Sequence, residues 1–292
     1  MRASFPFVIA LILVSTSAFA QSRGLPVRIV AAENFYGDVA QQLGGENVTV
    51  TSILSNPEQD PHLFEASAST ARALTEARFV IYNGIGYDPW VSKLLTASKS
   101  ESRAVIVVAA LMQRQSGDNP HLWYDPATMP TLAKALSAEL SASDPDDRAG
   151  FERRLASFLA SLRPITAKIS EIRQKYAGTT VTATEPIFGY MADALGLKMR
   201  NVPFQLAVMN NTEPSAGEIA SFERDLKTRT VKVLFYNSQT TDDLTARLKK
   251  LARDAHVPVV GVTETEPPGK SYQDWMMQQL DATEQALSNG SS

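Results

Sequence analysis

The chain has no cysteine and only three histidines in 292 residues. Without thiols there can be no disulfide, so an exported chain of this kind would rest on its apolar core alone. Any bound metal would have to be held by nitrogen and oxygen donors. Beyond the first twenty residues no apolar run is long enough to span a bilayer. Low-complexity stretches and short-period repeats are also missing. Neither sign of charge dominates: 28 basic and 31 acidic residues are interspersed along the chain, for a net charge of −3. That distribution argues against nucleic acid and against a polybasic membrane surface. No Gly-x-Ser-x-Gly occurs either, so nucleophilic catalysis lacks its usual groups.

What is present begins at the amino terminus. Arg2 precedes the apolar run Phe5 to Val14, and Ala18-Phe19-Ala20 follows. This is the charged, apolar and small-residue pattern of a secretory signal peptide over residues 1–20. No cysteine follows the cleavage point, so a lipid-anchored amino terminus is not expected. The reading is a soluble periplasmic protein of about 270 residues, enough for two domains.

From Val27 onward β-rich and helix-periodic segments alternate. Strands are expected at Val27–Ala32, Val48–Leu54, Phe79–Tyr82 and Ala104–Ala109, and helices at Phe35–Leu43, Ser67–Ala77 and Met129–Leu140. Asp144-Pro145-Asp146-Asp147 then supplies a cap, an N1 proline and first-turn acids. Helical apolar spacing continues from Phe151 to about Tyr176, so the helix opened at Asp144 runs roughly 33 residues, some 50 Å at ~1.5 Å per residue. Pro164 lies within it and predicts a kink. The alternation then resumes, with strands at Thr180–Thr184, Val231–Tyr236 and Val257–Val262. Helices are expected at Ile187–Leu195, Ser215–Lys227, Asp242–Ala255 and Tyr272–Leu287. The pattern predicts an α/β protein of two Rossmann-like lobes with parallel sheets, at 24–142 and 178–290. One long rigid backbone helix, 143–177, joins them.

Ligands of open α/β lobes gather beyond the carboxyl ends of the strands. Two of the three histidines, His62 and His121, stand in matched Pro-His-Leu-aromatic contexts after strand patterns in the first lobe. Two carboxylates, Glu185 and Glu264, follow strands in the second. Two donors per lobe would close a metal site in the cleft between lobes. Asp60, Glu65, Asp118 and Asp125 are candidates to orient the imidazoles. His256, at a helix end, reads as structural, and Trp123 and Tyr124 as packing. Asn237 to Thr241 reads either as a cleft lining or as a helix cap.

Asp60-Pro61-His62, Tyr82-Asn83-Gly84, Asn119-Pro120-His121-Leu122-Trp123-Tyr124-Asp125-Pro126, Glu213-Pro214-Ser215 and Gly261 to Met277 together resemble one family. This is the metal-binding subunits of bacterial ABC importers for zinc, manganese and iron, the cluster A-I solute-binding proteins. The resemblance covers essentially the whole chain after residue 20. It implies a non-enzymatic protein, one divalent ion as cargo, an inner-membrane ABC permease as partner and a monomeric state. It places metal ligands at His62, His121, Glu185 and Glu264, with Glu266 as the alternative fourth. Zinc-type relatives carry histidine at the position of Glu185 and a His/Asp-rich loop that this chain lacks. Two imidazoles and two carboxylates neutralise a divalent ion and suit Mn2+ or Fe2+ better than Zn2+, although affinity for such donors rises toward zinc; Mn2+ is the favoured cargo, with Zn2+ and Fe2+ as alternatives. A metal-dependent hydrolase and a surface adhesin are the alternatives; four protein ligands favour capture over catalysis.

Overall fold

The computed structural model describes residues 25–57, 64–240 and 242–290. The expected signal peptide and His62 lie outside them. The first half contains β1 (Val27–Glu33), α1 (Asn34–Gly44), β2 (Val48–Leu54), α2 (Ala68–Glu76), β3 (Phe79–Tyr82), α3 (Pro89–Ala97), β4 (Ala104–Val107), α4 (Val108–Leu111) and α5 (Thr128–Ser143). Next come α6 (Arg148–Ser161) and α7 (Arg163–Tyr176). The second half contains β5 (Thr180–Ala183), α8 (Gly189–Ala194), β6 (Lys198–Arg200), α9 (Val202–Met209), α10 (Ala216–Lys227), β7 (Leu234–Asn237), α11 (Asp243–Asp254), β8 (Val259–Val262) and α12 (Tyr272–Gly290).

All strand pairs are parallel, and the two sheets have the same order, β2-β1-β3-β4 and β6-β5-β7-β8. A parallel sheet is covered on both faces, which is why β1 and β3 read as nearly unbroken apolar runs. Strand order reverses between β1 and β3, and again between β5 and β7. A crevice therefore opens at the carboxyl ends of each sheet. Helix starts follow local chemistry. Ser67 accepts from Thr70 N–H at the head of α2, Ser215 and Glu218 form a capping box on α10, and Asp242 accepts from Thr245 N–H on α11.

The connector is the expected long helix, kinked where Pro164 predicts. It breaks at Leu162 into two helices, α6 and α7, with Pro164 in the first turn of α7. Proline has no N–H to return to the carbonyl four residues back, and its ring collides there. Helix α6 packs on α1 and α5, while α7 packs on α12. Lys168 bridges Asp281 and Glu284, and Lys175 also reaches Glu284. Each half of the connector thus belongs to a different lobe.

A single apolar core runs through both halves. It joins Ile29 and Ile81 beneath the first sheet to Val181, Phe235 and Val260 of the second. Trp123, Tyr124, Phe188 and Trp275 bridge the two; Phe188 stacks on Phe235 at 4.5 Å, and Tyr124 meets Phe188 edge-on at 5.3 Å. Among the described residues no helix is long and apolar enough to cross a membrane.

Candidate functional site

His121 sits on the loop after α4, at the head of a 3-10 turn over Leu122–Tyr124. Its side chain is fully buried, edge-on to Trp123 at 5.2 Å and to Tyr87 at 6.1 Å. Its Nε2 lies 3.5 Å from Oε2 of Glu264, whose side chain is equally buried. Glu264 is the second residue past β8. Its other oxygen accepts from Asn237 Nδ2 at 2.7 Å, and its backbone N–H donates to Gln239 Oε1. Asn237 ends β7, so the strand order itself sets this carboxylate against the imidazole of the other lobe.

Glu185 is the second residue past β5 and is 5% exposed. It occupies the cap position of the 3-10 turn Pro186–Phe188 without capping it through its side chain. Its Oε1 accepts from Thr240 Oγ1 at 3.2 Å. Thr240 follows β7, which Asn237 ends, so Glu185 and Glu264 hang from one rim. The structure joins His121 and Glu264 directly and sets Glu185 on that rim, linked through the β7 loop. Among the described residues no group of three or more His, Asp or Glu side chains gathers closely enough to hold a metal ion. The loop that leads toward His62 is tied to the same rim, because Gln239 Nε2 donates to Pro57 O at 3.0 Å.

Glu266 points elsewhere. Its backbone pairs with the Asn34 side chain in both directions, and its carboxyl faces Asp38 and Asp274. Burial, reinforced by those two acids, pushes it up to about 9. It is a neutral acid on the seam between the lobes, whereas Glu264 is the carboxylate at His121.

Of the acids expected to orient the imidazoles, Asp118 and Asp125 are engaged elsewhere. Asp118 accepts from Gln115 N–H, and Asp125 pairs with Arg114 and accepts from Ala127 N–H. Glu65 is exposed, and Asp60 lies outside the described residues. The ring's partner is instead Asn119, whose Oδ1 stands 2.6 Å from Nδ1. The sequence signal for it is an Asx two residues before the histidine.

A second group also escaped the sequence reading. Glu33, at the end of β1, and Asp88 are both buried. Asp88 accepts from the N–H groups of Asn83 and Gly84, at 2.6 and 2.8 Å. Burial raises Asp88 to about 6, against the lowering effect of those bonds and of Glu33. Burial and the Asp88 charge raise Glu33 well above the carboxylate range. Gly84, at φ 84°, makes the turn that presents both N–H groups. Asn83 then accepts from Tyr36 OH at 2.7 Å and donates to Pro120 O at 2.8 Å, which anchors the residue before His121. Tyr87 lies between the two groups; burial, then Glu264 and Glu33, raises its phenol.

With this geometry in view, the chain matches over residues 29–286 the family described as ZnuA, the periplasmic component A of a zinc-uptake complex. The chain belongs to this family. A manganese ABC transporter substrate-binding lipoprotein, PsaA, of Streptococcus anginosus is 24% identical across 97% of this chain and 96% of its own length. A protein of Treponema pallidum named as a metal-binding protein is 23% identical across 94% and 91%. Among solved structures, the periplasmic zinc-binding protein TroA of Treponema pallidum superposes with a TM-score of 0.76 at 20% identity, covering 90% of this chain and 99% of its own. A crystal structure of ZnuA gives 0.72 at 23%, covering 91% and 100%. The two-lobe α/β architecture is thus that of the ZnuA and TroA proteins, in which the sheets above find their counterparts.

Proposed function

We propose that this ZnuA-family chain captures one divalent transition-metal ion between its lobes and delivers it to an ABC permease in the inner membrane. The ligands in this reading are His62 and His121 from the first lobe and Glu185 and Glu264 from the second. The lobes span 24–142 and 178–290, with 143–177 as the connector, and the protein works as a periplasmic monomer. The observation that carries the reading is the His121–Glu264 contact: an imidazole nitrogen and a carboxylate oxygen from opposite lobes, both fully buried, 3.5 Å apart. A cation between them would take the place of that contact and bind both donors.

The donor set supports manganese as cargo. Carboxylates can bind through both oxygens and raise the coordination number above four, which suits Mn2+ better than tetrahedral Zn2+. The manganese transporters among the relatives agree with this choice. Zinc still binds nitrogen/oxygen sites more tightly in general, so affinity in a tube and cargo in the cell are separate quantities. Capture needs the imidazoles neutral and the carboxylates ionised, so loading releases protons and weakens in acid.

The test is a competition titration of the metal-stripped protein with manganese, ferrous iron and zinc, beside metal analysis of protein taken from its native compartment. Manganese in the native protein is the expected result. Native zinc would overturn the choice of cargo, and no tight binding of any of the three would overturn the reading itself.

A further inference from the structure

The side chain of Asn119 makes hydrogen bonds whose directions are fixed by its partners. Its Oδ1 is 3.1 Å from the backbone N–H of His121, which can only donate. Its Nδ2 is 2.7 Å from the carbonyl of Pro186, which can only accept. These two contacts leave the amide one orientation. The same Oδ1 faces His121 Nδ1 at 2.6 Å, and an amide oxygen cannot donate. Nδ1 must therefore carry the hydrogen, and Nε2 is the nitrogen turned toward Glu264.

Pro186 belongs to the second lobe and directly follows Glu185. Two further features hold the junction. Tyr190 OH donates to the Asn119 carbonyl at 2.8 Å. Gly189 leaves room for the approach, since a Cβ there would stand 2.9 Å from Asn119 Nδ2. The amide is thus seated from the second lobe while it fixes a ring in the first.

We propose that Asn119 is a positioning residue that couples the lobes: the Pro186 carbonyl orients its amide, and the amide dictates which His121 nitrogen is offered to the cargo. This rests on His121 being a metal ligand, and it adds a release mechanism to that reading. Drawing Pro186 away removes one of the contacts that fix the amide and leaves only those with His121 to oppose a turn, and a turned amide presents N–H to Nδ1. The ring must then shift its hydrogen to Nε2 or swing aside, and either change withdraws the lone pair from the metal. A permease that shifts the segment 185–190 slightly would loosen a ligand in the opposite lobe without parting the shared core.

Two substitutions separate the two roles. Asn119→Asp keeps an oxygen for the ring and the His121 N–H but sets a second oxygen against the Pro186 carbonyl. Asn119→Ala removes both functions. With only three histidines in the chain, 15N-histidine NMR on metal-free protein reads the His121 tautomer directly. The Nδ1–H form is expected in the unaltered protein and in Asn119→Asp, and a mixed or reversed tautomer in Asn119→Ala. Manganese affinity is expected to fall about 10–100-fold in Asn119→Ala. Asn119→Asp is expected to release manganese to a chelator about tenfold faster or more, with faster amide exchange across 186–190. Gly189→Ala, which crowds the amide but leaves its hydrogen-bonding groups in place, is expected to move the ring signal in the direction of Asn119→Ala. An unaltered ring signal in both Asn119→Ala and Gly189→Ala overturns the coupling, as do wild-type exchange and release in Asn119→Asp. The ring signal needs no metal, so it decides the coupling separately from whether the protein binds manganese.

Discussion

Asn237 Nδ2 donates to one oxygen of Glu264 at 2.7 Å while the other oxygen faces His121 Nε2 at 3.5 Å. A residue that ends one strand thereby aims a carboxylate carried by the next. Asn237→Ala frees the carboxylate to rotate and leaves it short of a buried donor. Manganese affinity is expected to drop about 10–100-fold, the usual effect of losing a partner that orients a ligand. Isothermal titration beside an unchanged circular dichroism spectrum checks this.

His121→Ala is expected to weaken manganese binding by more than that ~10–100-fold, because it removes a donor instead of its support. The fold should persist, since the ring's neighbours Trp123 and Tyr87 still pack on each other at 5.0 Å. Chelator competition gives the affinity, and the melting temperature reports the fold. Wild-type affinity in this variant would remove His121 from the ligand set.

The Glu33–Asp88 pair makes stability depend on pH in a defined direction. Both carboxyls hold protons more tightly when folded than when unfolded, so their contribution is complete in acid and declines as pH rises. For Asp88 the decline starts near its ordinary 3.8 and ends near 6. At ~1.4 kcal/mol for each tenfold change in proton affinity, this amounts to about 3 kcal/mol. Glu33 declines over a range that starts at its ordinary 4.5. Glu33→Gln cannot ionise. Urea melts between pH 4 and 8 are expected to show the variant gaining on the parent as pH rises.

Much of the fold is legible in the sequence because parallel strands and amphipathic helices advertise themselves. Val48–Leu54 and Phe79–Tyr82 fall where the apolar runs place them. Four elements do not. Helix α4 begins at Val108, inside the stretch Ala104–Ala109 expected as strand, because β4 stops at Val107. Strand β6 is Lys-Met-Arg, three residues with no apolar alternation, held by its neighbour β5. Helix α9 is apolar on every side and so shows no periodic stripe. Helix α3 hides behind the proline that opens it. Strand β7 begins at Leu234, later than Val231, because only that stretch pairs in register with β5 and β8.

The site divides along the same line. Glu185 and Glu264 stand out because each is a donor two residues past a strand, and His121 because its Pro-His-Leu-aromatic context is repeated at His62. Asn119 and Asp88 are invisible by that test, since their roles also need Pro186 and Glu33 far off in the chain, while Asn237 is legible only within a segment that reads either as cleft lining or as a helix cap. An amide or a buried acid acquires meaning only when the carbonyl or N–H opposite it is known.

Tyr272 OH donates to the buried carbonyl of Trp123 at 2.9 Å, across the seam between the lobes. Tyr272→Phe strands that carbonyl and is expected to cost about 1–3 kcal/mol. Chemical denaturation measures the loss, and a larger loss in metal affinity than in stability would mean that the seam also tunes the site.

The single core that runs under both sheets has a mechanical consequence. A jaw that swings on a free hinge stores little energy when empty and signals its cargo by a large change of shape. Here the jaws are fused at the root, and opening them would bare Trp123, Trp275 and Phe188 to water. On the proposed function, loaded and empty molecules would then present nearly the same outline to a permease, and recognition of the loaded form would fall to the rim.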